Sequence, residues 1–320
     1  IHKIMMKSDM SYCRKTAVDQ VISDFLFHCQ YEKNLNEKTI YAYRSDLYMF
    51  KRYIHELYPS VVFEQVSKDM LKTYLQHIST YKPKTVKRKL ASLFNYYDFE
   101  HDDFLNPFRK LRIRFKEPYV LPMIMTCNEV KEILKYLYKL RADNPDTGGY
   151  AYKAQTRDIA VVELLFATGI RVSELCELSC DAVDLKQATI KVFGKGSKER
   201  VIQICSVEVL KILRQYQRLF APSKCFFINR LGNRLSSQSV RLLIKRCREE
   251  IGIGKKITPH TFRHTFATLL LEEDVDIKYI QNLLGHSSIT TTQIYTHVNM
   301  NKQKKILSSK HPRKKMEMEE

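Results

Sequence analysis

Two arginines and a histidine lie near predicted helix ends, where side chains of these types can bind a phosphate. Arg171 comes just after the helix-ending Gly169. Pro259 marks a helix start, and His260 and Arg263, three residues apart, share one face of the helix that follows. A guanidinium gives a phosphate two parallel charge-assisted hydrogen bonds and keeps its charge at any relevant pH. Two arginines could therefore hold one phosphate between them.

Three further residues could complete a reaction at a phosphodiester, which also needs a nucleophile and a proton donor for the leaving oxygen. His286 follows Gly285, which ends another predicted helix, and Tyr295 lies nine residues later. Lys195 is at the tip of a predicted β-hairpin, from which a flexible ammonium could donate a proton. Singly, each has a structural explanation, since arginines are common at surfaces and the chain contains 19 tyrosines. Only the combination predicts phosphodiester cleavage.

The same residues lie in motifs that resemble those of the tyrosine recombinases, also called phage-type integrases. The motifs are ATGIRVSEL (167–175), GKGSKER (194–200), HTFRHTFAT (260–268), LGH (284–286) and IYTH (294–297). They occur in the family's order, and the spacings of 23 residues from Arg263 to His286 and nine from His286 to Tyr295 resemble those of Xer recombinases. The resemblance covers nearly the whole chain from about residue 16 and includes a helical core-binding domain.

The resemblance implies a role for each motif residue. Tyr295 attacks the scissile phosphate and holds the 3′ end as a phosphotyrosine. Lys195 protonates the leaving oxygen, His260 acts as acid or base around the tyrosine, and Glu174 supports Arg171. Three residues share the binding of the phosphate: Arg171, Arg263 and His286.

The resemblance also implies partners. These are double-stranded DNA core sites, with a homotetramer on two sites that works through a Holliday junction. No cofactor and no metal ion is expected, in agreement with a sequence that lacks a P-loop or a carboxylate cluster. The implied location is the cytoplasm, on nucleoid DNA. The sequence leaves open the accessory proteins, the outcome of recombination, and whether the role is chromosomal or that of a mobile element.

Two other functions compete with recombination. A type IB topoisomerase shares the chemistry but relaxes supercoils as a monomer, and the length and Xer-like spacing of this chain disfavour it. A non-catalytic DNA-binding regulator derived from a recombinase would keep the basic surfaces and lose active-site groups. None of those groups is missing from the sequence.

The amino-acid composition also favours a protein that binds nucleic acid. The 54 Lys and Arg residues against 35 Asp and Glu give a net charge of +19, which favours a polyanionic partner over solubility alone. The chain has neither a run of 18 apolar residues nor an export signal, so no membrane partner is predicted.

The eight scattered cysteines of the chain are typical of reduced thiols in a cytosol. Cys176 and Cys180, four apart on one predicted helix, could share a metal, but packing is favoured because no second pair of ligands lies nearby.

Apolar residues at steps of three and four predict four helices in the first hundred residues, around 18–25, over 36–54, after Ser67 and from Pro83. The start of the fourth helix is basic and carries no neighbouring acid in the sequence. Its cations are Lys82, Lys84, Lys87, Arg88 and Lys89. An ordinary solvated face is one reading; DNA contact is favoured, with Lys84, Lys87 and Arg88 as candidates. Arg112 and Arg114, in the extended basic stretch that follows, are further candidates.

In the second half, Thr126 and Glu129 predict a capping box, and residues 141–156 an exposed loop before a helix that begins near Arg157. A β-hairpin over 189–204 and five further helices follow, the last around 290–295. The predicted fold is mainly α with a small β-hairpin or sheet, in two domains: a helical core-binding domain and a mostly helical tyrosine-recombinase catalytic domain. The predicted boundaries are an N-terminal extension (1–15), the core-binding domain (16–107), a basic linker (108–125), the catalytic domain (126–300) and a tail that could be exchanged between subunits (301–320).

Overall fold

The chain folds into two compact units that divide at residues 119 and 120. The structure, a computed structural model, describes residues 19–61, 63–100, 106–110, 122–193 and 199–285. It is mainly helical with one small antiparallel sheet, as the sequence predicts. The turn at 194–198, the predicted helix around 290–295, the N-terminal extension and the C-terminal tail lie outside the described residues. Within the described ranges, no helix is long and apolar enough to cross a bilayer.

The first unit is a set of helices around an aromatic core. Its helices are α1 (19–27, continued by a π-helical turn at His28–Glu32), α2 (Glu37–Leu57), α3 (Lys68–Ile78) and α4 (Pro83–Glu100), with 3-10 turns at Phe63–Gln65 and Pro107–Lys110. The predicted cap Ser67 is present and accepts a backbone N–H group at the start of α3, and Asn36 does the same at the start of α2. Phe108, the first residue of the predicted linker, is buried in this core.

A buried carboxylate joins α2 to the basic start of α4. Asp46 is 1% exposed, and it accepts hydrogen bonds from Arg88, from Lys89 at 3.1 Å and from the Ser92 hydroxyl at 2.8 Å. Two of the α4 cations that have no acidic neighbour in the sequence therefore have one in the fold. The acid lies more than 40 positions earlier in the sequence, and only helix packing brings it to them. Arg88 and Lys89 serve this ion pair, whereas Lys84 and Lys87 are exposed.

Removing this carboxylate is expected to lower the free energy of unfolding of the first unit. Asp46→Ala leaves the ammonium of Lys89, itself 4% exposed, without its counter-ion, and such an uncompensated buried charge costs about 3–5 kcal/mol. Denaturant unfolding followed by circular dichroism measures the loss. The control is Asp69→Ala, which breaks an exposed ion pair with Lys72 and should shift the transition little. Equal transitions in the two variants would contradict the structural role of Asp46.

The second unit carries the sheet and the remaining helices. The helices are α5 (Cys127–Ala142), α6 (Tyr150–Thr168), α7 (Val172–Glu177), α8 (Val207–Phe220), α9 (Ser237–Glu250), α10 (Pro259–Glu272) and α11 (Ile277–Leu284). The strands β1 (Val183–Asp184), β2 (Thr189–Phe193) and β3 (Glu199–Gln203) pair antiparallel in the order β1-β2-β3, with Ile190 opposite Ile202. The predicted hairpin is thus confirmed, and β1 is an addition to it.

Helix α6 is the centre of this unit. It packs against α5, α8 and α10, and its residues 158–165 are buried on every side. The predicted capping box of Thr126 and Glu129 is confirmed at the start of α5. The predicted loop over 141–156 is too long, because α6 already begins at Tyr150. The Asp146 carboxylate ends the loop early by accepting the N–H groups of Gly148 and Gly149.

Two cysteines predicted to share a helix do not. Helix α7 ends at Glu177, so Cys176 lies in the helix while Cys180 begins a 3-10 turn (Cys180–Ala182). The Cys180 N–H donates a hydrogen bond to the Lys224 carbonyl at 3.1 Å, so it is not available to continue the hydrogen bonding of α7. Cys176 is buried in the core of the unit.

Candidate active site

Arg171 is held at the junction between α6 and α7. Gly169 ends α6 with φ 59°, a left-handed conformation that favours glycine. A Cβ there would lie 2.6 Å from the Phe266 ring and 2.9 Å from Leu284, so the close contact with α10 and α11 also requires glycine. The next residue but one is Arg171, which starts α7 in extended conformation with 29% of its side chain exposed. Its guanidinium is therefore anchored yet accessible.

Arg263 reaches the same place from α10. Thr258 and Thr261 cap each other's backbone N–H groups and fix the start of that helix, with Pro259 in its first turn. Arg263 is only 3% exposed, and it donates to the Gly169 carbonyl at 2.7 Å and to the Leu284 carbonyl at 2.6 Å. It thereby ties the end of α6 to the end of α11.

The C-terminal end of α11 accepts hydrogen bonds from three arginines. Arg200 donates to the carbonyl of Leu283 at 3.1 Å, and Arg263 and Arg171 donate to the next two carbonyls, Arg171 to Gly285 at 3.0 Å. Terminal helix carbonyls lack helical partners and carry partial negative charge, so cations suit them. Three guanidinium groups from α7, β3 and α10 thus meet one residue before His286 in the sequence.

One carboxylate lies among these cations. Glu174 accepts the Arg171 guanidinium at 2.7 Å and the Arg171 backbone N–H at 3.0 Å. Both of its oxygens also accept from Arg200, at 3.0 and 2.8 Å. Burial alone would raise the pKa of the Glu174 carboxyl, but the bonds and charge of Arg200 and Arg171 outweigh it and lower the pKa to about 2. Among the described residues, three guanidinium groups against this carboxylate leave a positive site suited to a phosphate.

His260 completes the described part of the site. Desolvation lowers the pKa of its imidazole, and the positive charges of Arg263, Arg241 and Arg171 lower it further. Desolvation also lowers the pKa of His264, one turn along α10, to about 4. Both rings are therefore neutral at pH 7, and a neutral imidazole can accept a proton.

The structure brings four of the predicted site residues together: Arg171, Glu174, His260 and Arg263. The predicted residues Lys195, His286, Tyr295, Arg112 and Arg114 lie outside the described residues. Lys84, Lys87 and Arg88 belong to the first unit, at the start of α4. Sequence reasoning missed Arg200, although it ends the GKGSKER motif and could have been noticed there.

Comparison with known proteins places this geometry in a family. The phage integrase family model matches residues 124–302, and the model of the phage integrase N-terminal SAM-like domain matches residues 22–102. The chain belongs to the phage integrase family. As a member of it, the chain is an enzyme of the tyrosine-type site-specific recombinases, which confirms the resemblance drawn from its motifs.

Individual relatives agree with this assignment. A tyrosine recombinase of Agathobacter rectalis is 46% identical over 300 residues, covering 92% of this chain and 96% of the relative. The tyrosine recombinase XerC of Thermodesulfovibrio yellowstonii is 34% identical, covering 91% of this chain and 96% of the relative. The XerH recombinase bound to palindromic difH DNA in a post-cleavage complex shares the fold, with a TM-score of 0.72 at 21% identity over 90% of this chain and 84% of that chain.

Proposed function

We propose that this recombinase cleaves and rejoins double-stranded DNA at specific core sites through a covalent bond between Tyr295 and the 3′ phosphate. One observation carries the proposal: Arg171 and Arg263, from separate helices, meet at the end of α11, one residue before His286 in the sequence. Such preorganised cations stabilise the charge that grows on phosphate oxygens during displacement. Arg171 is the exposed member and is proposed to contact the phosphate most directly.

The proposed reaction conserves the phosphodiester bond. The Tyr295 hydroxyl attacks phosphorus, the bond to the 5′ oxygen breaks, and that oxygen takes a proton from Lys195 and leaves as a hydroxyl. His260 accepts the tyrosine proton, a role for which its lowered pKa leaves it neutral at pH 7. Attack of a 5′ hydroxyl from the other duplex reverses the steps and passes through a Holliday junction. Glu174 orients Arg171, and His286 adds a hydrogen bond to the phosphate.

DNA binding is proposed to involve the first unit. Lys84 and Lys87 are exposed on the first turns of α4, where they suit contacts to phosphates. Arg88 is held by Asp46, so its proposed part is to fix this helix start beside the DNA. Arg112 and Arg114 extend the basic stretch. A homotetramer on two sites in the nucleoid of the cytoplasm is the proposed working form.

An exchange assay tests this function. Selection of a random duplex library on the purified protein yields its preferred sequence, and plasmids are built with one or two copies of it. The two-site plasmid should give deletion or inversion products without ATP or metal, and the one-site plasmid should not recombine intramolecularly. Relaxation of both plasmids without exchange would instead indicate a type IB topoisomerase. Binding without any change in either plasmid would indicate a non-catalytic regulator.

A further inference from the structure

Arg200, at the second position of β3, links two parts of the site. Its guanidinium donates to both oxygens of Glu174 and, through Nε, to the Leu283 carbonyl at 3.1 Å. The side chains of Arg200 and Glu174 are 13% and 5% exposed, so this ion pair lies away from bulk water. The contact is close on the α11 side too, since a Cβ at Gly285 would lie 3.0 Å from an Arg200 nitrogen.

We propose that Arg200 is a positioning residue for DNA cleavage: it holds Glu174 and the end of α11 so that Arg171 presents its guanidinium to the scissile phosphate. This inference rests on the proposed function. Arg171 itself is bonded to the same two partners, Glu174 and the end of α11, through the Gly285 carbonyl. A shift of Glu174 or of the end of α11 would therefore also displace the Arg171 guanidinium.

The geometry separates Arg200 from an ordinary surface ion pair. Exposed pairs are flexible and screened by solvent, whereas this pair is bidentate and mostly buried. The three bonds come from three different nitrogens of the Arg200 guanidinium, and the single ammonium nitrogen of a lysine cannot reach all three acceptors. Without Arg200, Arg171 would be the charge partner left to Glu174 among the described residues, and Glu174 would draw it inward.

Single-turnover cleavage of a suicide DNA substrate tests the proposal with Arg200→Gln and Arg200→Lys. We expect a loss of about 100-fold for glutamine and about 10-fold for lysine, the scale of a small misplacement of a catalytic group. Noncovalent binding of the same DNA should change less than about threefold, because the chain carries 54 Lys and Arg residues and the affinity for phosphates is summed over many cations. Arg214→Lys is the matched control, since Arg214 donates to the Leu185 carbonyl away from the site and should cleave normally.

A second substrate separates phosphate positioning from leaving-group protonation. A 5′-bridging phosphorothiolate releases a thiolate, which needs no proton, and so it should rescue Lys195→Ala. It should not rescue Arg200→Gln, because that defect concerns the charge on the non-bridging oxygens. Full rescue of Arg200→Gln, or wild-type cleavage of the normal substrate by it, would overturn the inference.

Melting temperatures and the activity of the parent protein distinguish a failure of this inference from misfolding and from a failure of the proposed function. If Arg200→Gln melts at a lower temperature than the parent protein, Arg200→Lys carries the test, with its intermediate rate and missing thiolate rescue expected to persist. A parent protein that forms no adduct with either substrate would refute the proposed function itself. An active parent with a fully active Arg200→Gln variant would refute only the role of Arg200.

Discussion

Tyr295→Phe is expected to abolish the covalent protein–DNA adduct. The substitution removes one oxygen, the nucleophile that would attack phosphorus, and leaves the ring and its packing volume in place. On a suicide substrate, whose cleaved end diffuses away, the parent protein accumulates an adduct that migrates slowly in a denaturing gel. The variant should show none, while its binding to the same DNA in a native gel should be unchanged.

The control for this experiment is another tyrosine of the same unit. Tyr279 is 70% exposed on α11, and Tyr279→Phe should form the adduct at the parental rate. Peptide mapping of the adduct places the attached nucleotide on the segment that contains residue 295. An undiminished adduct in Tyr295→Phe would mean that a different residue is the nucleophile.

Arg171→Lys is expected to lower the rate of cleavage by about 100-fold or more, although the positive charge is retained. The parent guanidinium bonds Glu174 and the Gly285 carbonyl through two of its nitrogens, and a guanidinium has five N–H donors in all. A lysine ammonium has three N–H donors on a single nitrogen and lacks the planar fork. It therefore cannot keep both of these bonds and also give a phosphate two parallel hydrogen bonds. Single-turnover kinetics at saturating DNA measure the change.

Comparing the cleavage rate of Arg171→Lys with its DNA affinity shows at which step Arg171 acts. A loss confined to the cleavage rate means that the fork acts in the transition state, whereas a weaker affinity at unchanged rate would mean simple DNA binding. Near-parental cleavage by Arg171→Lys would remove Arg171 from the proposed mechanism. Arg214→Lys serves again as the control for a general effect of arginine replacement.

Local sequence rules predicted much of this fold. The helix that begins after Asn36, the capping box at Thr126, and the helix of residues 277–284 ended by Gly285 all appear as expected. The reason is that caps, left-handed glycines and apolar spacing act within a few residues along the chain. The loop before α6 is shorter than predicted, because the turn in which Asp146 accepts the N–H groups of Gly148 and Gly149 leads directly into the helix.

Contacts between distant segments could not be predicted in the same way. Asp46 is 42 positions from Arg88 and 43 from Lys89, and helix packing gives these two cations a buried carboxylate as a shared partner. Arg200 and Glu174 are 26 positions apart, and Arg200 and Leu283 are 83. Such pairs depend on how helices and strands pack, and no periodicity or cap encodes their partners.

The sequence by itself therefore determined the chemical class of this protein: its ordered motifs resemble those of the tyrosine recombinases and contain the proposed nucleophile, cations and proton donors. The tertiary structure decided how the described cations are used. It placed Arg171, Arg200 and Arg263 at one helix end and gave two of them a shared carboxylate. The physical reason is that hydrogen bonds and charges act over a few ångströms in space, so a residue's partners are set by packing rather than by its position in the chain.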